Sequence, residues 1–259
     1  MALFGCSGSG QTTAPGATTG TPAGTPSGGS APALRLLWIG NSYSYVNDLP
    51  ALLTALSTTA GRTPLPVITT VFDGGQTLKG AANRADIGGI IGRGWDVVVL
   101  QEQSSTPITA PDTMLRYGTQ LGELAKRAGA KVLLFQTWPT IDATASTPAI
   151  RTAYANLARA LDATVVPVGD AWAQLLTDRP ELPLYLEDGT HPTPIGSYLA
   201  ACLFHNALFN RSAVGLAAES YSVRSNRYGS GLPEPIVKVP LTGTVALTIQ
   251  QAADRATGR

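Results

Sequence analysis

Short apolar runs alternate with longer stretches of helical periodicity along most of this chain. Five runs read as buried strands: Leu34 to Ile39 (LRLLWI), Pro66 to Phe72 (PVITTVF), Trp95 to Gln101 (WDVVVLQ), Lys131 to Trp138 (KVLLFQTW) and Thr164 to Val168. Each is short, rich in β-branched or aromatic residues, and bounded by turn residues. Between and after them the spacing predicts helices over Asp48 to Ala60, Gln76 to Ile91, Asp112 to Ala128 (ended by Gly129, a good C-cap), and Pro148 to Leu161. Further helices are expected from Gly169 to Leu176, from Pro194 to Phe209 and from Val245 to Thr257, the last packing on the sheet's flank. Val214 to Pro235 mixes Gly, Ser, Tyr and Pro and reads as irregular loop. Strands alternating with helices imply βαβ units and a five-stranded, doubly wound parallel sheet, an α/β protein.

The first 33 residues stand apart. After Cys6 they are Ser, Gly, Thr, Ala, Pro and one Gln, and no charge occurs before Arg35. Such a segment has nothing to bury and is expected to be an extended tether over 1–33, with the folded domain over 34–259. Leu3-Phe4-Gly5-Cys6 resembles the lipobox of bacterial lipoproteins, in which the cysteine is lipidated. Only five residues precede Cys6 here, without a basic n-region or a full apolar h-region. A cloning scar on a linker is the alternative. The resemblance implies a membrane tether through Cys6 and an extracytoplasmic, secreted or lipid-anchored protein.

The 259-residue chain has a formal net charge of +1, and this balance points away from nucleic acid and anionic membrane surfaces. Charged residues make up 14% of it, below the roughly 25% usual for soluble domains. Of the two cysteines, Cys202 lies in the apolar ACLF and reads as a packed core thiol. Neither a disulfide nor a metal site is expected, and no cofactor. The chain is expected to act as a monomer, and no run is long and apolar enough to span a bilayer.

In an open parallel sheet the functional crevice lies beyond the carboxyl ends of the strands. The polar residues there are Asn41 and Ser42 after the first strand, Gly74 and Gly75 after the second, Gln101 to Ser104 after the third, and Gln136 to Trp138 at the fourth. Ser42, between a strand and a helix, is the candidate nucleophile. It needs a base, and the chain offers two histidines. His205 sits inside an apolar helix and reads as a packing residue. His191 sits in a tight loop with Asp188 three residues ahead, within reach of the imidazole Nδ1. Ser42, His191 and Asp188 therefore form the candidate triad.

Gly40-Asn41-Ser42-Tyr43, the glycine turn, the polar cluster Gln101-Glu102-Gln103-Ser104 and Asp188-Gly189-Thr190-His191 together resemble the SGNH hydrolase superfamily, also called GDSL-like esterases. The matching pieces cover about Leu34 to Phe209. The resemblance implies a flavodoxin-like three-layer α/β/α sandwich and ester hydrolysis through an acyl-enzyme. The family usually has Asp before the serine, where this chain has Asn41. Its third block usually reads Gly-x-Asn-Asp, with the asparagine donating to the oxyanion. The Gln-Glu-Gln-Ser here is closer to the carbohydrate acetylesterase and sialate O-acetylesterase branches, which use a glutamine. Gln101 matches that glutamine by position, and Gln103 shares its strand parity. The implied oxyanion hole is the N–H of Ser42, that of Gly75 or Gly74, and the amide of Gln101 or Gln103.

The expected function is hydrolysis of carboxylic, above all acetyl, esters on small-molecule or polysaccharide substrates. Tyr43, Tyr45 and Trp138 lie beside the expected groove as a candidate aromatic wall for a sugar; packing of Trp138 inside the fold is the alternative. The competing functions are a lipid esterase or thioesterase on the same fold, and a non-catalytic glycan-binding surface protein. No Gly-x-Gly-x-x-Gly follows the first strand to support nucleotide binding.

Overall fold

The computed structural model describes residues 32–216, 226–228 and 241–259. Most of the tether and Cys6 lie outside the described residues. Every expected strand forms: β1 Arg35–Gly40, β2 Val67–Phe72, β3 Val97–Leu100, β4 Lys131–Phe135 and β5 Thr164–Val166. Pro167, with no N–H to give, stops β5. A sixth strand, β6 Asn226–Tyr228, lies within the stretch that reads as irregular loop and pairs with β2. Three residues at a sheet edge carry too little pattern to stand out.

All pairings among the described residues of this sheet are parallel, and the order is β5-β4-β3-β1-β2-β6. The chain moves from β1 to β2 on one side, then crosses to β3 on the other. This reversal puts the topological switch point at the carboxyl ends of β1 and β3.

Among the described residues ten α-helices flank the strands. They are α1 Ser42–Tyr45, α2 Leu49–Thr59, α3 Leu78–Ala82, α4 Ile87–Ile91, α5 Thr106–Thr109, α6 Pro111–Arg127, α7 Thr147–Leu161, α8 Val168–Asp178, α9 Pro194–Phe209 and α10 Gly243–Ala256. Successive strand residues point to opposite faces, so the sheet has two cores. Leu36, Trp38, Val97, Val99 and Phe135 pack with α2, α8, α9 and α10, and Cys202 is buried there. Leu37, Ile39, Val98, Leu100 and Leu134 pack with α3, α4, α6 and α7. The result is a three-layer α/β/α sandwich.

Two helical expectations change. The stretch from Gln76 to Ile91 forms two short helices, α3 and α4, rather than one. Thr77 caps the first through Gly80 N–H, and Gly80, Gly88 and Gly89 keep the helix propensity of this stretch low. Ser42 does not open the long helix over Asp48 to Ala60. It opens the separate one-turn α1, and α2 starts anew with Asp48 capping Ala51 N–H. His205 is buried within α9, its ring edge against Phe209, and burial lowers its pKa.

Candidate active site

The site grows from the end of β1. Asn41 is buried and extended, and its Oδ1 accepts the Tyr43 N–H at 3.2 Å as the cap of α1. Ser42 therefore starts a helical turn and faces a cleft of about 380 Å³. Gly74, Gly75, Tyr45, Gln103, Ser104 and His191 share that cleft, with Tyr43 and Thr190 beside them.

His191 comes from the loop between α8 and α9, and backbone bonds close this loop on itself. Leu186 N–H donates to His191 O at 2.8 Å and Gly189 N–H to Leu186 O at 2.9 Å. Asp188 is the internal cap: its Oδ1 accepts from the N–H groups of Thr190 and His191, both at 2.9 Å. Its Oδ2 then meets His191 Nδ1 at 2.6 Å, and His191 Nε2 lies 2.9 Å from Ser42 Oγ. The hydrogen bond to His191, helped by the two N–H groups, lowers the Asp188 pKa to about 2. Gly189 has φ +67°, and a Cβ there would stand 2.6 Å from Ile141 Cγ2. Only glycine tolerates both the turn and this contact. The structure thus brings Ser42, His191 and Asp188, the serine remote in sequence from the other two, into one line of hydrogen bonds.

Gly74 and Gly75 border Ser42 after β2. Gly75 has φ +65°, and neither its N–H nor that of Ser42 donates to an acceptor among the described residues. Two such N–H groups in the cleft that holds the Ser42 hydroxyl can serve a developing oxyanion. Their loop is braced by Gln76, whose Nε2 donates to Gly40 O at 3.1 Å and Val71 O at 3.2 Å.

The two glutamines occupy different places. Gln101, expected in the oxyanion hole by position, is buried behind Asn41 and does not line the cleft. Its Nε2 donates to Asn41 Oδ1 and its Oε1 accepts from Ser44 Oγ, both at 2.5 Å. Gly40 makes room for it, since a Cβ there would lie 2.5 Å from Gln101 Oε1. Gln103 does line the cleft. Its Oε1 accepts from Ser105 N–H at 2.9 Å, and its Nε2 donates to Ser104 Oγ at 2.8 Å.

The aromatic wall is also revised. Trp138 is fully buried, stacked between Tyr43 at 4.4 Å and Trp172 at 4.0 Å. Its indole N–H donates to Thr190 O at 3.1 Å. It supports the His191 loop from inside and offers a sugar no face. Tyr43 borders the cleft, but its hydroxyl is bonded to Thr190 Oγ1 at 2.8 Å, and burial raises its pKa.

Sequence reasoning missed Gln76, Ser44 and Thr190. Thr190 stands inside the Asp188–His191 motif, which was the available signal; the others looked like ordinary loop polars. Among the described residues no group of three His, Cys, Asp or Glu side chains converges as a metal site requires.

A three-layer parallel sandwich with Ser42, His191 and Asp188 in one hydrogen-bonded line at its switch point has the make-up of a serine ester hydrolase. No family model and no curated protein matches the chain. Solved structures do. A protein from Slackia heliotrinireducens described as a candidate SGNH hydrolase is 28% identical, with a TM-score of 0.59 over 68% of this chain and 100% of its own. A DUF4886 family protein from Bacteroides uniformis has a TM-score of 0.67 at 19% identity, covering 87% of this chain and 95% of its own. An acetyl xylan esterase has a TM-score of 0.57 at 18% identity, covering 68% and 100%. The chain is thus similar, in fold and in the order of its motif residues, to SGNH hydrolases.

Proposed function

We propose that the chain is an esterase that removes short acyl groups, acetyl above all, from hydroxyl-bearing substrates of carbohydrate type. The observation that carries this is the line Asp188–His191–Ser42 opening into a cleft of about 380 Å³ whose lining mixes polar side chains with the rings of Tyr43 and Tyr45. In this reading His191 takes the Ser42 proton as Oγ attacks the ester carbonyl, and Asp188 orients the imidazole and balances its charge. The N–H groups of Ser42 and Gly75, with Gln103 from the same cleft, receive the oxyanion. The alcohol leaves with the proton from His191. A water activated by the same imidazole then releases the acid and frees Ser42.

No aliphatic side chain among the described residues lines the cleft, which supports a short acyl group, because a long chain would need a continuous apolar wall. The acetyl xylan esterase among the similar structures supports a carbohydrate ester. The lipobox-like Leu3 to Cys6 and the small-residue stretch behind it support a lipid-anchored, extracytoplasmic enzyme. No helix among the described residues is long and apolar enough to cross a membrane.

The test is turnover of p-nitrophenyl esters of increasing acyl length, followed by acetate release from acetylated xylan, pectin, sialic acid and peptidoglycan fragments. Acetyl esters should turn over fastest, and Ser42→Ala should remove the activity while leaving the melting temperature nearly unchanged. Equal turnover by Ser42→Ala would refute the nucleophile. Faster hydrolysis of long acyl esters would favour a lipid esterase instead.

A further inference from the structure

Glu102 plays no part in the chemistry above, yet it sits at the centre of the site's scaffold. The side chain is fully buried. Its Oε1 accepts two backbone hydrogen bonds, from Leu78 N–H at 3.1 Å and from Gln103 N–H at 2.7 Å. Leu78 lies three residues after Gly75, at the start of α3. Gln103 lines the same cleft as Gly74 and Gly75. The main chain of Glu102 adds two anchors. Its N–H donates to the Tyr154 hydroxyl on α7 at 3.2 Å, and its carbonyl lies 3.5 Å from Asn41 Nδ2. One residue thus joins the glycine turn, the third block and the residue before Ser42.

We propose that Glu102 is a positioning residue for the oxyanion side of the cleft, its carboxylate holding the glycine turn and Gln103 in register, and that it does so as the anion. This rests on the esterase reading only for its effect on rate.

The choice of glutamate is costly in a way that needs a function. Oε2 is buried without a hydrogen-bond partner among the described residues, and an unpartnered buried oxygen is expensive. A carboxylate is the stronger acceptor for two N–H groups on one oxygen. A proton on Oε1 would compete with those two bonds, and a proton on Oε2 would find no acceptor. Burial, only partly offset by the two N–H groups, raises the Glu102 pKa to about 7. The titratable group facing it is Tyr154, whose own pKa burial raises; Lys79 on α3 is exposed.

The sign of the linkage runs against rigidity. A carboxyl whose folded pKa is raised contributes stability that is full below its unfolded value, and that is lost as pH rises through about 7. Glu102 therefore costs stability over the same interval in which its anion tightens the cleft.

The experiment uses the full chain with Glu102→Gln and Glu102→Ala. Steady-state kinetics on p-nitrophenyl acetate would run across about pH 5 to 9. Glu102→Ala should lower kcat about 10- to 100-fold with KM changed by less than about twofold, as loss of an orienting partner does. Glu102→Gln keeps an acceptor for both N–H groups. It should hold kcat within about threefold of wild type above neutrality, its remaining pH dependence being that of the His191 base alone. Hydrogen exchange gives a readout without substrate. In wild type the Leu78 and Gln103 amides should lose protection, after correction for intrinsic exchange, as pH falls through about 7. In Glu102→Gln their protection should not vary with pH. Wild-type kcat and KM in Glu102→Ala, whatever its melting temperature, would overturn the proposal. A wild-type pH dependence of Leu78 and Gln103 exchange in Glu102→Gln would do the same. If Glu102→Ala does not fold, the Gln variant and exchange decide. If no ester is turned over, the functional reading fails and the exchange result still decides the clamp.

Discussion

Asn41 stands where the superfamily usually has Asp, and the structure makes the exchange testable. Its amide is used at both ends. Oδ1 accepts from Tyr43 N–H at 3.2 Å and Gln101 Nε2 at 2.5 Å. Nδ2 donates to Gln76 O at 2.9 Å and reaches Glu102 O at 3.5 Å. An ionised aspartate accepts only. In Asn41→Asp the carbonyl of Gln76 would lose its donor and face a buried carboxylate oxygen. Each buried polar group left unsatisfied costs about 1–3 kcal/mol. Counting Gln76 O in full, the long Glu102 contact in part, and some repulsion, the loss is about 2–4 kcal/mol. For a domain of this size each kcal/mol shifts the melting temperature about 2–4 °C. Thermal melts at about pH 8 should therefore show a drop of about 4–16 °C.

The pH dependence carries the sharper test. The environment opposes a charge at position 41, so the folded pKa of the introduced carboxyl would be raised. Its contribution to stability is then present at low pH and lost as pH rises through that folded value. As a protonated acid it can donate to Gln76 O again. The gap between Asn41→Asp and wild type should narrow on acidification. A variant that melts with wild type at about pH 8, or a gap that stays constant with pH, would show that the Asn41 amide is not the hub described.

Two further substitutions separate orientation from support. Asp188→Asn should lower kcat by up to about 10⁴-fold by releasing the His191 tautomer. Because the Asp188 pKa is lowered to about 2, any loss of wild-type activity between neutrality and about pH 4 must come from other groups; loss coupled to Asp188 in that range would contradict the geometry. Gln103→Ala should lower kcat about 10²–10³-fold with little change in KM if Gln103 completes the oxyanion hole. Gln101→Ala should act mainly on stability, by about 1–3 kcal/mol in a denaturant melt, through Asn41 and Ser44. The reverse pattern would return the donor role to Gln101.

The fold could be read from the sequence because its signals are local. Runs such as Val97–Leu100 and Lys131–Phe135, short and bounded by turn residues, suit a strand covered on both faces, and they form where the pattern puts them. The Asp188–His191 block was readable for the same reason, since a capping aspartate and its histidine lie within one four-residue stretch. What could not be read is pairwise. Strand parity places Gln101 and Gln103 on the same side, but does not say which reaches the cleft. That depends on Gly40, whose missing Cβ leaves the space over β1 that the Gln101 amide fills. Trp138 poses the same difficulty: its size argued for burial, but its place between Tyr43 and Trp172 depends on α1 and α8 meeting across it. Asn41, Gln76, Gln101 and Glu102 each look like ordinary polar residues at a strand end. They meet because β1 lies between β2 and β3, so that the segments leaving three neighbouring strands share one buried space. There each amide and carboxylate must find partners among the others. The polar scaffold behind Ser42 is in this sense a consequence of strand order, and substitutions at its residues should show coupled rather than additive effects.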